Sequence, residues 1–402
     1  MLKKRYPWEE NVLLKRIRQK RSSILDSAIH VVGHPSAPIG MGEHARSVFR
    51  ALREAGQTVR LVDIYGPSAT SDEQLIATYS DYISATLSDG VNIFCINGDE
   101  VEQAFGILES RNLLAKDSKN IIYPAWELST YPAAWAEILN RFDEVWAPSQ
   151  CIAEAIKPQV NVEVVHMPLA CEIGERGLFS RSHFGIPDSS YCFLFAFDFL
   201  SYVERKNPLG VLEAFEIASS ELPYADIRLV LKVNNCDRKP EAFKKFLDVF
   251  STFRDKVILI EKSLSDLEMK ALIWSCDCFV SLHRSEGFGR GMSEAMVLAK
   301  PVIATGYSGN MDFCSPDTAF LVPYELVPVG PDEYPFWQNQ EWADPDPVAA
   351  AQFMATLVDD PTQGKAKGAA ARSHMMAHFS FLRRGLDYAA RCTALKEETM
   401  AT

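Results

Sequence analysis

From residue 28 onward the chain alternates short apolar runs with stretches whose apolar positions recur every three to four residues. Residues 28–34 are apolar, 43–56 carry Ala45, Val48, Phe49 and Leu52 at helical spacing, and 58–65 are apolar again. That pattern predicts a strand, a helix and a second strand, with Gly56 standing where a helix C-cap belongs. The rhythm continues through strands at 91–97, 120–126, 144–148 and 162–168, with helical segments at 100–111, 132–142 and 150–156. Alternation of this kind predicts a parallel sheet with helices on both faces.

Residues 171–190 are rich in Gly, Ser and charge and lack sustained periodicity, which predicts a junction between domains. A second series follows, with strands at 191–198, 226–232, 257–261, 278–283, 301–305 and 319–323. Past Pro331 a polar stretch with Trp337 and Trp342 leads into three closing helical runs. The expected organisation is a basic segment at 1–27, a first domain at 28–170, a linker at 171–190 and a second domain at 191–365. Helices at 366–402 are expected to cross back toward the first domain. The fold class is α/β, with two Rossmann-like doubly wound domains facing each other across a cleft. Loops at the carboxyl ends of their strands should carry the chemistry.

Composition narrows the function classes. The 402 residues are 47% hydrophobic and 23% charged, close to an average globular protein. No apolar run approaches the ~18 residues of a membrane span, and the N-terminus lacks a secretory core, so a cytoplasmic location is expected. Nine cysteines without a C-x-x-C pair read as reduced core residues. A net charge of −12 argues against nucleic-acid binding, which needs a basic face. Residues 1–21, however, hold eight basic side chains against Glu9 and Glu10, interleaved with Leu2, Tyr6, Trp8, Val12, Leu13, Leu14 and Ile17. Such a segment suits either peripheral contact with anionic lipid at the inner membrane face or a solvated tail.

The densest chemistry lies in SLHRSEGFGRGMSEAM at 281–296. Glycines 287, 289 and 291 permit a tight turn after a strand and before a helix starting near Arg290, which makes an anion cradle. Glu286 on the loop and Glu294 one turn into the helix can accept hydroxyl protons beside it, so a ligand with phosphate and sugar hydroxyls fits. Arg205 and Lys206, just before Asn207-Pro208, could clamp a diphosphate, or form a solvated basic pair. In the first domain Gly40-Met-Gly42-Glu-His-Ala45 matches G-x-G-x-x-A, with Asp63 at the end of the next strand. That pairing suggests an NAD-dependent oxidoreductase, although six residues, His34 to Ile39, separate the strand from the first glycine. His283 is a candidate ligand contact, His374 and His378 have i, i+4 spacing without a third metal ligand, and Asp344-Pro-Asp346 reads as helix entry.

Together, IGMGEHARS, YPAWEL, FDEVWAPS, RKNPLGVLEAF, SEGFGRGMSEAM and KPVIATGYSGNMDF resemble the retaining, GT-B-type family-4 glycosyltransferases, also called glycosyl transferases group 1, over nearly the whole chain after residue 27. Glu286 and Glu294 form that family's E-x₇-E pattern. The resemblance implies a hexosyl transfer from a nucleotide-diphosphate sugar, with retention, to a glycan or lipid-linked acceptor in cell-surface polysaccharide biosynthesis. It implies no cofactor and no metal. Glu286, Lys206 and Arg205 would be catalytic; Glu294, Phe288, Gly289, Arg290, Gly40 and Gly42 would hold the donor; and Asn97, Asp99, Trp126 and Glu127 would face the acceptor. Many relatives place an Arg five or six residues before the phosphate lysine, where this chain has Ser201 and Leu200. A non-catalytic sugar-nucleotide-binding protein is the alternative on the same fold.

Overall fold

The structure is a computed structural model that describes residues 28–66, 72–87, 89–113, 118–250 and 255–400. The basic segment at 1–21 and any membrane contact through it lie outside the described residues. Six parallel strands form the first sheet: β1 (Ile29–Gly33), β2 (Val59–Asp63), β3 (Val91–Phe94), β4 (Lys119–Ile122), β5 (Glu144–Ala147) and β6 (Glu163–His166), in the order β2-β1-β3-β4-β5-β6. Their connections carry α1 (Gly40–Glu54), α2 (Glu73–Tyr79), α3 (Val101–Ser110), α4 (Ala133–Leu139) and α5 (Gln150–Ile156). β1 and β3 are buried throughout, as strands covered on both faces must be.

The second sheet repeats the design with β7 (Tyr191–Asp198), β8 (Ile227–Asn234), β9 (Val257–Ile260), β10 (Cys278–Ser281), β11 (Val302–Thr305) and β12 (Phe320–Val322), in the order β12-β11-β10-β7-β8-β9. Around it lie α6 (Val203–Lys206), α7 (Pro208–Glu221), α8 (Pro240–Phe250), α9 (Asp266–Ser275) and α10 (Arg290–Val297). The direction of winding reverses between β1 and β3 in one sheet and between β7 and β10 in the other. Loops leaving adjacent strands diverge at such a point and open a crevice. The sequence therefore places four loops, after β1, β3, β7 and β10, where ligand can enter.

A hairpin that periodicity does not reveal follows β12. Strands β13 (Tyr324–Pro328) and β14 (Glu341–Pro345) pair antiparallel, so the polar stretch around Trp337 and Trp342 is an ordered excursion. It leaves the second domain and packs on the first. Trp342 is fully buried in a cluster with Val32, Phe94 and Trp126, and Gln340 accepts from the Thr130 N–H at 3.1 Å and donates to its carbonyl at 2.8 Å. Asp346 then caps the next helix, accepting from Val348 N–H at 2.8 Å.

Three helices close the chain: α11 (Pro347–Asp359), α12 (Pro361–His378) and α13 (Phe381–Met400). α13 lies against α1 of the first domain so closely that a Cβ on Gly385 would stand 1.9 Å from the Ala51 carbonyl oxygen. Only glycine allows this backbone approach. The Tyr388 hydroxyl donates to the Pro168 carbonyl at 2.7 Å, and Cys171 N–H donates to the Phe379 carbonyl at 2.8 Å. The first link joins the closing helices to the end of the first domain, and the second joins them to the start of the junction. Among the described residues no helix is long and apolar enough to cross a membrane.

Candidate active site

The four loops named above line one cavity of about 410 Å³ between the domains. Gly40 and His44 enter it from the start of α1, Asn97 from the loop after β3, Ser201, Arg205 and Lys206 from the segment after β7, and Glu286 to Met292 from the loop after β10. The basic pair is placed by local chemistry. Asn207 adopts φ 52°, its side-chain oxygen accepts from the Gly210 N–H at 3.1 Å, and its amide donates to the Leu282 carbonyl at 3.0 Å. Arg284 N–H donates to the Arg205 carbonyl at 2.8 Å. One residue thus caps α7 and ties the short α6 to the exit of β10.

Those ties bring three charges together. The Lys206 ammonium donates to Glu286, one Arg205 guanidinium nitrogen lies 3.4 Å from the same carboxylate, and the other terminal nitrogen lies 3.8 Å from Glu127. Arg205 also donates to the Ser285 carbonyl at 2.9 Å. Burial pushes the Glu286 carboxyl up, but Lys206 and Arg205 outweigh it and hold the group down at about 2. Glu286 is therefore ionised throughout the neutral range. Its N–H donates to the Ser308 hydroxyl at 2.8 Å, which pins the loop.

Gly289 has φ 95°, a conformation open to glycine, and starts α10 with the first-turn N–H groups around Arg290 at the cavity. Glu294 sits one turn further in, half-buried and outside the cavity lining. Burial dominates the Arg290 and Lys270 charges beside it and raises its carboxyl to about 7. Phe288, Gly289, Arg290, Gly40, Asn97 and Glu127 line the cavity, whereas Gly42, Asp99 and Trp126 do not. Gly42 packs on the loop itself: a Cβ there would stand 2.2 Å from the Ala37 carbonyl oxygen. Asp99 is exposed, and Trp126 is buried with its indole N–H donating to the Thr130 carbonyl at 3.0 Å.

His283 is fully buried and bonded to Ser281 at 3.0 Å and Asn310 at 3.0 Å; burial lowers its pKa, so it is a neutral support for the loop. Sequence reasoning missed Glu43. This first-turn residue of α1 accepts from Arg46 at 2.9 Å and from Arg50, and lies 3.8 Å from Arg290 across the cleft. Those arginines overcome burial and hold it at about 2. The only signal for it in the sequence is an acid in a first helical turn, which ordinarily answers the helix dipole.

Residues 193–328 match the model of a family described as Glycosyl transferases group 1. No curated protein matches the chain. Among solved structures, HepE of Anabaena in complex with UDP and glucose superposes with a TM-score of 0.67 at 12% identity, covering 92% of this chain and 100% of that one. Sucrose-phosphate synthase of Thermosynechococcus elongatus gives 0.64 at 15% identity, covering 94% and 100%. The fold is GT-B. TarM of S. aureus, in complex with fondaparinux, α-GlcNAc-glycerol and UDP, is similar over a shorter span, with a TM-score of 0.55, 13% identity, and 76% and 56% covered.

On this GT-B frame the dinucleotide reading is not favoured. Asp63, which it needs free for a ribose, accepts from the Ser36 hydroxyl at 2.7 Å and from the Gly66 N–H at 3.0 Å. Gly42 is likewise committed to packing within its own loop. The cleft instead offers a helix N-terminus, two cations and a carboxylate on one wall.

Proposed function

We propose that the protein is a retaining glycosyltransferase that moves a hexosyl group from a nucleotide-diphosphate sugar to a glycan or lipid-linked acceptor, in the building of cell-surface polysaccharide. The observation that carries this reading is the Lys206, Arg205 and Glu286 cluster beside the α10 N-terminus in a cleft at both switch points. The α10 N–H groups at Phe288, Gly289 and Arg290 would hold the diphosphate, and Glu294 the ribose hydroxyls. As the sugar–phosphate bond breaks, negative charge grows on the leaving phosphate, and Lys206 with Arg205 are placed to stabilise it. Glu286, released from Lys206 by that phosphate, would accept donor-sugar hydroxyls. Its ionisation makes it an acceptor only. HepE has also been solved with UDP-glucose, which supports a uridine donor.

The test is a calorimetric panel of nucleotide sugars, UDP-glucose and UDP-GlcNAc included, on the intact protein. Saturable binding of at least one, weakened in Glu294→Ala, is expected; no binding by any would sink the reading.

Two further outcomes belong to this site. Affinity for UDP is expected to rise between about pH 6 and about pH 8, because the ionised Glu294 carboxylate has more acceptor sites for ribose hydroxyls than the protonated acid. The sign for stability is opposite. The Glu294 carboxyl moves from 4.5 to about 7 on folding, so the folded chain keeps a proton that the unfolded chain loses over that window, and ionisation of Glu294 lowers stability as pH rises through it. Glu294→Gln should flatten both profiles in UDP titrations and thermal melts; an unchanged UDP profile would remove Glu294 from the donor site.

Turnover is also expected to persist in EDTA, because cationic side chains and helix N–H groups are placed to answer the leaving charge. Loss of activity restored by added magnesium would overturn this.

A further inference from the structure

The cavity has a rim that neither the donor nor the chemistry described above uses. At its edge, next to the lining residue Ser201, Tyr202 stands 41% exposed with φ 60° and ψ 101°. Its ring lies 4.7 Å from Tyr334, whose hydroxyl donates to the lining residue Glu127 and whose ring faces the Arg205 guanidinium at 5.9 Å. Two residues along the same hairpin loop, Phe336 is 42% exposed at φ 55°. It packs edge-on to Trp135 at 5.0 Å and lies 6.5 Å from Trp126. The rim therefore joins rings from the first domain, the α6 segment and the β13–β14 hairpin.

Two features separate this rim from ordinary packing. Bulky L residues rarely take positive φ, and here both half-exposed rings are held there, each next to buried aromatic groups that fix it. Backbone held in such conformations concentrates at ligand clamps. The rings also have an acceptor beside them: the Glu127 carboxylate is bonded to the Tyr334 hydroxyl and lines the cavity. A pyranose ring has the matching pattern, an apolar face of C–H bonds and an edge of hydroxyls. Aromatic side chains take the face and carboxylates take the edge.

Resting on the glycosyltransferase reading above, we infer that Tyr202 and Phe336, backed by the buried Tyr334, form an acceptor subsite for a saccharide, with Glu127 bonding its hydroxyls. The rim meets the cavity at Glu127 and Arg205, through the Tyr334 hydroxyl and ring, so a saccharide seated on it would have its end beside the donor cleft. Half of this subsite comes from the hairpin, so an acceptor would bind both domains at once.

Saturation-transfer NMR on the intact protein tests the assignment, with maltose, cellobiose, lactose and N,N′-diacetylchitobiose as probes, each recorded with and without UDP. The wild type should transfer saturation to ring protons of at least one saccharide. Tyr202→Ala and Phe336→Ala should each cut that transfer by about three- to tenfold, the range expected for one aromatic contact, and Tyr202→Trp should keep it. Both truncated rings are half-exposed, and unchanged UDP transfer and melting curves verify the folded site. Saccharide transfer that is absent in the wild type, or unchanged from wild type in both alanine variants, would overturn the subsite. A wild type that takes saccharide but ignores UDP would sink the donor reading and leave the result for the rim standing.

Discussion

Replacing Lys206 with alanine is expected to lower kcat by about 10²–10³, which corresponds to about 2.7–4 kcal/mol of transition-state stabilisation. The estimate follows from position. Lys206 is paired with Glu286, in a wall shared with Arg205 and the start of α10. Once the donor phosphate has displaced Glu286, the ammonium faces a charge that still grows as the sugar–phosphate bond breaks, so part of its effect falls on the transition state. Arg205 remains 3.4 Å from Glu286 in the variant, and a folded site is expected to survive. Lys206→Arg should recover part of the rate, because the charge returns with a different reach. Single-turnover rates at saturating donor decide the matter. A kcat within threefold of wild type, with only donor affinity reduced, would show that Lys206 binds ground state and transition state alike.

Much of this wall was legible before any coordinates. The alternation of apolar runs and helical spacing predicts both sheets, and the glycines of 287–291 together with the flanking glutamates mark the loop after β10. Asn207-Pro208 marks the start of α7 because Pro suits a first helical turn, and the structure adds a cap, the Asn207 side chain accepting from the Gly210 N–H. What escaped reading depends on contacts between domains. β13 and β14 are five residues each, bear Pro and acidic residues, and leave Tyr324 and Leu326 exposed, so no alternation betrays them. Their burial comes from the other domain, through Trp342 and Tyr334. Glu43 escaped for the same reason, because its partner Arg290 is supplied from across the cleft. Trp126, expected to face an acceptor, instead forms the buried wall behind Tyr334. In each case the local sequence states what a side chain can do, and the partner that decides its use is remote in the chain.

The closing helix shows the same remote pairing on a scale that stability measurements can read. Glu144 on β5 is fully buried, and it accepts from the Trp146 indole N–H at 2.5 Å and the Arg391 Nε–H at 2.7 Å, with a second Arg391 nitrogen bonded to the same carboxylate. Arg391 continues to Glu163 at 2.8 Å, and one turn earlier Tyr388 stacks on Trp146 at 5.4 Å. Arg391→Ala is expected to destabilise the first domain by about 3–5 kcal/mol, because it leaves a carboxylate in a dry site with a single remaining donor. The cost measures that stranded charge, which exceeds the net worth of the pair. Two variants separate the terms. Glu144→Gln alone keeps an acceptor for Trp146 without a charge to strand, and in the Arg391→Ala background it should restore most of the loss. Replacing both residues by apolar groups, Glu144→Leu with Arg391→Met, should recover part of the loss and stop short of wild type, because the buried Trp146 indole N–H then lacks its acceptor. Thermal or urea unfolding followed at Trp146 reports the result. An Arg391→Ala variant within 1 kcal/mol of wild type would mean that α13 is held by its apolar face and the Gly385 contact alone, and that the ion pair serves only to set its register.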